Sequence, residues 1–196
     1  LVLDVRHQDE FVKGHIPRSI FIGLNGDFAP WVGALIADTK QPLLLVIPEG
    51  MEEEAVTRLS RVGFDASIGY LKGGIDAWKA AGKEIDEITS ISAEEAKKMI
   101  DGKVIKVFDV RKKGEFKSEH VLDAESTPLS ELNKHLAEYP ENEDFLVHCA
   151  GGYRSVIASS ILKSRGIHNL IDVKGGFGAL KQEGVRTTDY VCPSTL

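Results

Sequence analysis

Cysteine is scarce in this sequence: its 196 residues include two, Cys149 and Cys192. Two thiols cannot staple a small secreted scaffold, so a disulfide framework is excluded and a reducing, cytoplasmic setting is expected. Basic charge is also short, with 24 Lys and Arg against 30 Asp and Glu and a net charge of -6. The concentrated cation that a phosphate backbone demands is missing, so nucleic acid is not an expected partner. No apolar run approaches the roughly 20 residues of a membrane helix, and no membrane partner is expected. The opening LVLDVRHQDEF is charged too early for a signal peptide. No histidine pair has the four-residue spacing that points to a metal site on a helix. What remains, 42% hydrophobic and 28% charged, is an ordinary globular composition, long enough for one large or two small domains.

The chain repeats itself. LVLDVRHQDEFVKGHI reads against VIKVFDVRKKGEFKSEHV, which aligns Asp4, Val5 and Arg6 with Asp109, Val110 and Arg111. Glu10 and Phe11 then meet Glu115 and Phe116, and His15 meets His120. Further on, Gly73 and Gly74 fall on Gly175 and Gly176. Ordered agreement at separate places about 100 residues apart marks two small domains rather than chance likeness.

Each copy alternates short β-rich runs with helical patterns, which predicts an α/β fold with a mainly parallel sheet and helices on both faces. In the second copy, Ser92 with Glu95 three residues on is a capping box, so a helix starts there. VIKVFDV, DFLVHC and NLIDVKGG read as strands; SELNKHLAEY, GFGALKQEG and RSVIASSILKSRG read as helices, the last closing at Gly166. KEIDEITSIS reads as a linker, which divides the chain into 1–88 and 89–196. The second copy has a helix before its Asp-Val-Arg strand and the first copy begins on that strand. The expectation is therefore an N-terminally truncated first domain, with more protein, and any targeting segment, before Leu1.

In VHCAGGYRSVIASS, Cys149 ends an apolar strand and a helix starts just after. Such a loop lies at the carboxyl edge of a parallel sheet, where open α/β folds bind ligands. The following helix points unpaired N–H groups and its positive dipole end into the loop. Gly151 and Gly152 permit backbone conformations that let those groups converge, and Arg154 adds a permanent cation. These surroundings favour the thiolate and would hold an anion attached to its sulfur. The bland reading, a small buried hydrophobe at a strand end, accounts for an isolated cysteine but not for this combination.

DVRKKGEF, HCAGGYRS and VKGGFGAL, in that order, resemble the rhodanese family of sulfurtransferases, and the resemblance covers nearly the whole chain as two copies. It implies that Cys149 takes a sulfane sulfur from a small-molecule donor (thiosulfate, a persulfide or a polysulfide), becomes a persulfide and passes the sulfur to a thiol or other nucleophile. It also implies that Ala150, Gly151, Gly152, Tyr153, Arg154 and Ser155 cradle the persulfide or donor, with no metal or organic cofactor. Cysteine phosphatases of this fold have a longer loop between Cys and Arg; the shorter loop here should be too tight for phosphate, which leaves phosphatase as a minor alternative. The short repeats and the late start resemble the tandem rhodanese tail of fusions that begin with a metallo-β-lactamase-fold domain. This implies a covalently linked N-terminal domain, and the rival role of a non-catalytic persulfide carrier or interaction module serving it.

The first copy has no cysteine: LLLVIPEGMEEEAVTRL puts Pro48 or a near neighbour at the nucleophile position, followed by Glu52, Glu53 and Glu54 at the helix start. Those carboxylates complement the dipole themselves and repel an anionic donor, so this copy is expected to be silent and structural. Asp4, Arg6 and His15 recur in it, which assigns Asp109, Arg111 and His120 to structure. Strand alternation turns His148 away from its neighbour and into packing. Trp31 and Trp78 are expected in a core or interface, and Cys192, in a tail before proline, as an incidental rather than a resolving thiol.

Overall fold

The computed structural model describes residues 1–192 and divides the chain into two compact units, Leu1–Glu87 and Ile88–Leu196, the last four residues lying outside the description. The first unit runs β1 (Val2–Asp4), α1 (Gln8–Phe11), β2 (Ile20–Phe21), α2 (Phe28–Leu35), β3 (Leu43–Val46), α3 (Glu52–Ser60), β4 (Ser67–Tyr70) and α4 (Gly74–Ala80). The second runs β5 (Ser90–Ile91), α5 (Ala93–Asp101), β6 (Lys106–Asp109), α6 (Lys113–Ser118), β7 (Glu125–Ser126), β8 (Phe145–His148), α7 (Tyr153–Ser164), β9 (Leu170–Val173) and α8 (Gly176–Gln182). The sheets are ordered β2-β1-β3-β4 and β5-β9-β8-β6-β7, and every strand pair in them is parallel. No described helix is long and apolar enough to cross a membrane.

In the second unit the central strands are apolar on both faces, as a covered parallel sheet requires. Val107, Leu146 and Val173 pack on one face against Ala93, Ala96, Phe177 and Leu180. On the other, Phe108, Phe145 and Tyr139 form an aromatic cluster with ring centroids 4.5 to 5.2 Å apart. In the first unit Leu3, Leu43, Leu45, Phe11, Phe21 and Phe28 are fully or almost fully buried. The copies differ at Leu44, which is 47% exposed, whereas its counterpart Leu146 is 0% exposed. The fifth strand and its helix, β5 and α5, have no counterpart among the elements of the first sheet.

Ser92 caps α5 as its spacing predicts: its Oγ accepts the Glu95 N–H at 3.2 Å, and Glu95 Oε2 accepts the Ser92 N–H at 2.8 Å. The Ser92 N–H, and then the Ser92 hydroxyl, which also lies 2.8 Å from Oε2, hold the Glu95 carboxyl below its usual range. Ser92→Ala is expected to lower the stability of the second unit by about 1 kcal/mol, read as a lower urea midpoint in circular dichroism.

The stretch read as a helix over residues 130–139 is instead two 3-10 turns, Leu129–Lys134 and Leu136–Glu138. Pro140 turns Tyr139 to an extended conformation and closes the stretch there. Three-residue spacing also eclipses Leu129 and Leu132, and both are buried. Trp31 and Trp78 are not core residues either: each is half-buried, and Trp78 Nε1 donates to the Glu84 carbonyl at 2.8 Å.

Candidate active site

β8 lies between β9 and β6, and the chain leaves it towards β9 but leaves β6 towards β7. The crevice beyond the carboxyl ends of β6 and β8 is therefore the topological switch point, where open sheets bind ligands. Cys149 follows β8 there. It is 1% exposed, and its Sγ accepts the Gly152 N–H at 3.1 Å. Gly152 is the N-cap of α7, with φ 102°, a conformation that L side chains rarely adopt. Gly151 does not share it: one left-handed glycine, not two, turns the amide onto the sulfur.

A second turn holds the loop from outside. The Phe177 N–H donates to the Cys149 carbonyl at 2.7 Å and the Gly178 N–H to the Ala150 carbonyl at 3.1 Å. The repeated Lys-Gly-Gly turn thus seats the cysteine loop on the start of α8. His148 is fully buried; its Nδ1 lies 3.2 Å from the Cys149 carbonyl and its Nε2 3.9 Å from Asp109 Oδ2. Burial holds this imidazole below its ordinary range, so it is neutral.

The other residues expected to form a cradle divide. Ala150 and Gly151 are exposed, Tyr153 is half-buried, and Ser155 is buried with its Oγ 3.7 Å from Cys149 Sγ. Arg154 stands beside the loop, but its two terminal nitrogens are engaged by Glu115 of α6, at 2.6 and 2.9 Å. The pair crosses the crevice and offsets the cation that the sequence offers to a donor. Its hydrogen bonds raise Arg154 and hold the Glu115 carboxyl below its usual range.

A depressed carboxyl stabilises the fold above its unfolded value, and that contribution is lost as pH falls through the folded one. The Glu115 side chain is 35% exposed, so solvent screening limits the pair to about 1 kcal/mol. The expected outcome is that wild type loses more stability than Glu115→Gln between about pH 5 and pH 3, seen in urea midpoints across that range.

Features present in both units serve the fold. Arg6 and Arg111 make the same fork to Asp4 and Asp109, 2.6 Å at the shortest, and go on to the Gly14 and Glu119 carbonyls. His15 and His120 stack on Phe11 and Phe116 at 3.9 and 3.7 Å. Register also narrows the stand-in for the cysteine. Asp4 pairs with Val46 as Asp109 pairs with His148, so of Pro48 and its near neighbours it is Ile47 that stands in place of Cys149. Gly50, with φ 82°, repeats the turn of Gly152. The first unit keeps the loop and lacks the thiol. Beside that loop is a cleft of about 810 Å³ lined by Ile47, Glu49, Glu52, Lys13 and Lys79 among others.

Sequence reasoning missed Asp172 and Ser90, which reach the site through Ser155, and the partnership of Glu115. The only available signals were an acidic residue inside an apolar strand and the repeated Glu-Phe pair. Cys192 is exposed and forms no disulfide. Among the described residues no group of three or more His, Cys, Asp or Glu is arranged to hold a metal ion.

A family model, the rhodanese-like domain, matches residues 1–81 and 92–183. An uncharacterized protein of Synechocystis, slr1261, is 39% identical over 79 residues, 40% of this chain and 44% of that protein. The putative sulfur carrier protein YrkF of Bacillus subtilis is 29% identical over 106 residues, 54% of this chain and 55% of that protein. A protein of Allochromatium vinosum named sulfurtransferase is 25% identical over 101 residues, 52% of this chain and 92% of that protein. The chain spans about half the length of the first two relatives.

Proposed function

The chain belongs to the rhodanese-like domain family, and from that footing we propose that its second unit is a sulfurtransferase site. Cys149 takes the outer sulfur of thiosulfate, a persulfide or a polysulfide, carries it as a persulfide, and yields it to a thiol or another nucleophile. The observation that carries this reading is the Gly152 amide directed at Cys149 Sγ at 3.1 Å, at the start of a 12-residue helix. A donor N–H at the positive end of a helix favours negative charge on that sulfur. The relatives named for sulfur transfer and sulfur carriage support it. The first unit, with Ile47 at the corresponding place, does no thiol chemistry and is structural.

Sulfur carriage without independent turnover, in service of a linked domain, is favoured by one feature. Cys149 is 1% exposed, which shelters a bound sulfur from casual acceptors. Two measurements separate the readings. Intact mass after incubation with thiosulfate, glutathione persulfide or polysulfide should rise by about 32 Da, one sulfur on Cys149. Turnover of thiosulfate with cyanide then identifies an enzyme, and loading without turnover identifies a carrier. No mass gain with any donor overturns both.

A further inference from the structure

One feature of the cysteine-bearing unit has no counterpart in the silent one. Ser155 Oγ lies 3.7 Å from Cys149 Sγ, which is placed as the donor, and donates its own proton to Asp172 Oδ1 at 2.6 Å. It is also 3.2 Å from the Gly152 carbonyl. Asp172 is 3% exposed, and Ser90 Oγ donates to its other oxygen at 2.9 Å. A hydroxyl has one proton; with that proton drawn to a carboxylate, its lone pairs are left for the thiol.

Burying a carboxylate inside an apolar strand is costly, and the sheet pairing of β9 uses only its backbone. In the first unit Tyr70 pairs with Leu45 as Asp172 pairs with Val147, and counting on from Gly50 puts Glu53 at the place of Ser155. The Asp–Arg forks and the stacked histidines occur in both copies; the Ser155–Asp172 link occurs only beside the thiol.

We propose that Asp172, a positioning residue acting through Ser155, accepts the Cys149 proton during sulfur uptake; this rests on the sulfur-transfer reading above and deepens it. The thiol proton moves to Ser155 Oγ as the Ser155 proton moves to Asp172 Oδ1. The electron pair left on Sγ attacks the outer sulfur of thiosulfate, the S–S bond of the donor breaks, and sulfite departs with that bond's electrons. The proton leaves Asp172 with the sulfite, as bisulfite, and the carboxylate is restored.

The test uses the full chain with Cys192→Ser, so that Cys149 is the one thiol, at a single neutral pH. Iodoacetamide labelling of Cys149, followed by intact mass, needs no sulfur donor and reads the relay directly. Thiosulfate uptake is timed in parallel. Asp172→Asn and Ser155→Ala should each slow both processes about 100-fold, and Ser155→Thr, which keeps a hydroxyl, should restore most of the rate. A carboxylate acting only through its charge works the other way, because removing it favours the thiolate. Labelling of Asp172→Asn at the wild-type rate or faster therefore overturns the proposal. If Asp172→Asn loses its native circular dichroism, the Ser155 pair decides: equal labelling of Ser155→Ala and wild type overturns it. Failure of the wild type to take up sulfur while the labelling differences persist counts against the sulfur-transfer reading and leaves the relay standing.

Discussion

Cys149→Ser is expected to abolish sulfur uptake, with loss of at least about 1,000-fold in rate. The substituted hydroxyl still accepts the Gly152 amide, so the loop keeps its shape and circular dichroism should match wild type. What is lost is the nucleophile: oxygen is a far poorer nucleophile towards sulfur than a thiol sulfur is, and it forms no stable bond to a transferred sulfur. Intact mass should show no gain of about 32 Da, and thiosulfate:cyanide turnover should fall to background. Cys192→Ser, by contrast, should load normally, because that thiol is exposed in the tail. Undiminished loading of Cys149→Ser would move the chemistry to Cys192 and dissolve the site.

Gly176→Ala should be nearly as damaging, by a different route. A Cβ there would lie 2.4 Å from the Cys149 carbonyl oxygen and 2.9 Å from two backbone carbons of the same loop, at φ +55°. Backbone cannot swing aside as a flexible side chain can, so the loop or the start of α8 must move. The expected loss is about 3 kcal/mol or more. Displacing the loop by even part of an ångström also spoils the amide aimed at the sulfur, and uptake should fall about 100-fold.

The first unit contains the control. Gly74 has nearly the same backbone conformation, φ +59°, with nothing within 4 Å of its Cβ position. Gly74→Ala should therefore cost only the left-handed strain, about 1 kcal/mol. Trp31 and Trp78 both lie in the first unit, so tryptophan fluorescence follows that unit during urea unfolding. Gly74→Ala should shift the fluorescence transition slightly; Gly176→Ala should shift circular dichroism strongly and leave fluorescence alone. Equal costs at the two glycines would mean that the α8 shelf does not support the cysteine loop.

Contiguous sequence carries everything set by local hydrogen bonding and periodicity. The duplication, the strand–loop–helix around Cys149, the Ser92 capping box and the lack of cysteine in the first copy could all be read along the chain. Even there, local reading fails where two rules compete. Residues 130–139 have helical spacing, but the burial of Leu129 and Leu132, three residues apart, goes with 3-10 turns, and Pro140 closes the stretch.

The tertiary structure alone decided which side chains meet. Arg154 finds Glu115 across 39 residues of chain, Ser155 finds Asp172 across 17, and Ser90 reaches Asp172 across 82. These meetings depend on strand order and register, which bring the ends of β6, β8 and β9 to one edge; no periodicity along a single segment encodes them. The same register singled out Ile47, beside Pro48, for the cysteine's place, and left Leu44 open to solvent where Leu146 is covered. Sequence by itself determined that a thiol sits at the mouth of a parallel sheet. The packing of distant elements determined what that thiol touches, because proton and charge partners act over a few ångströms of space whatever their distance along the chain.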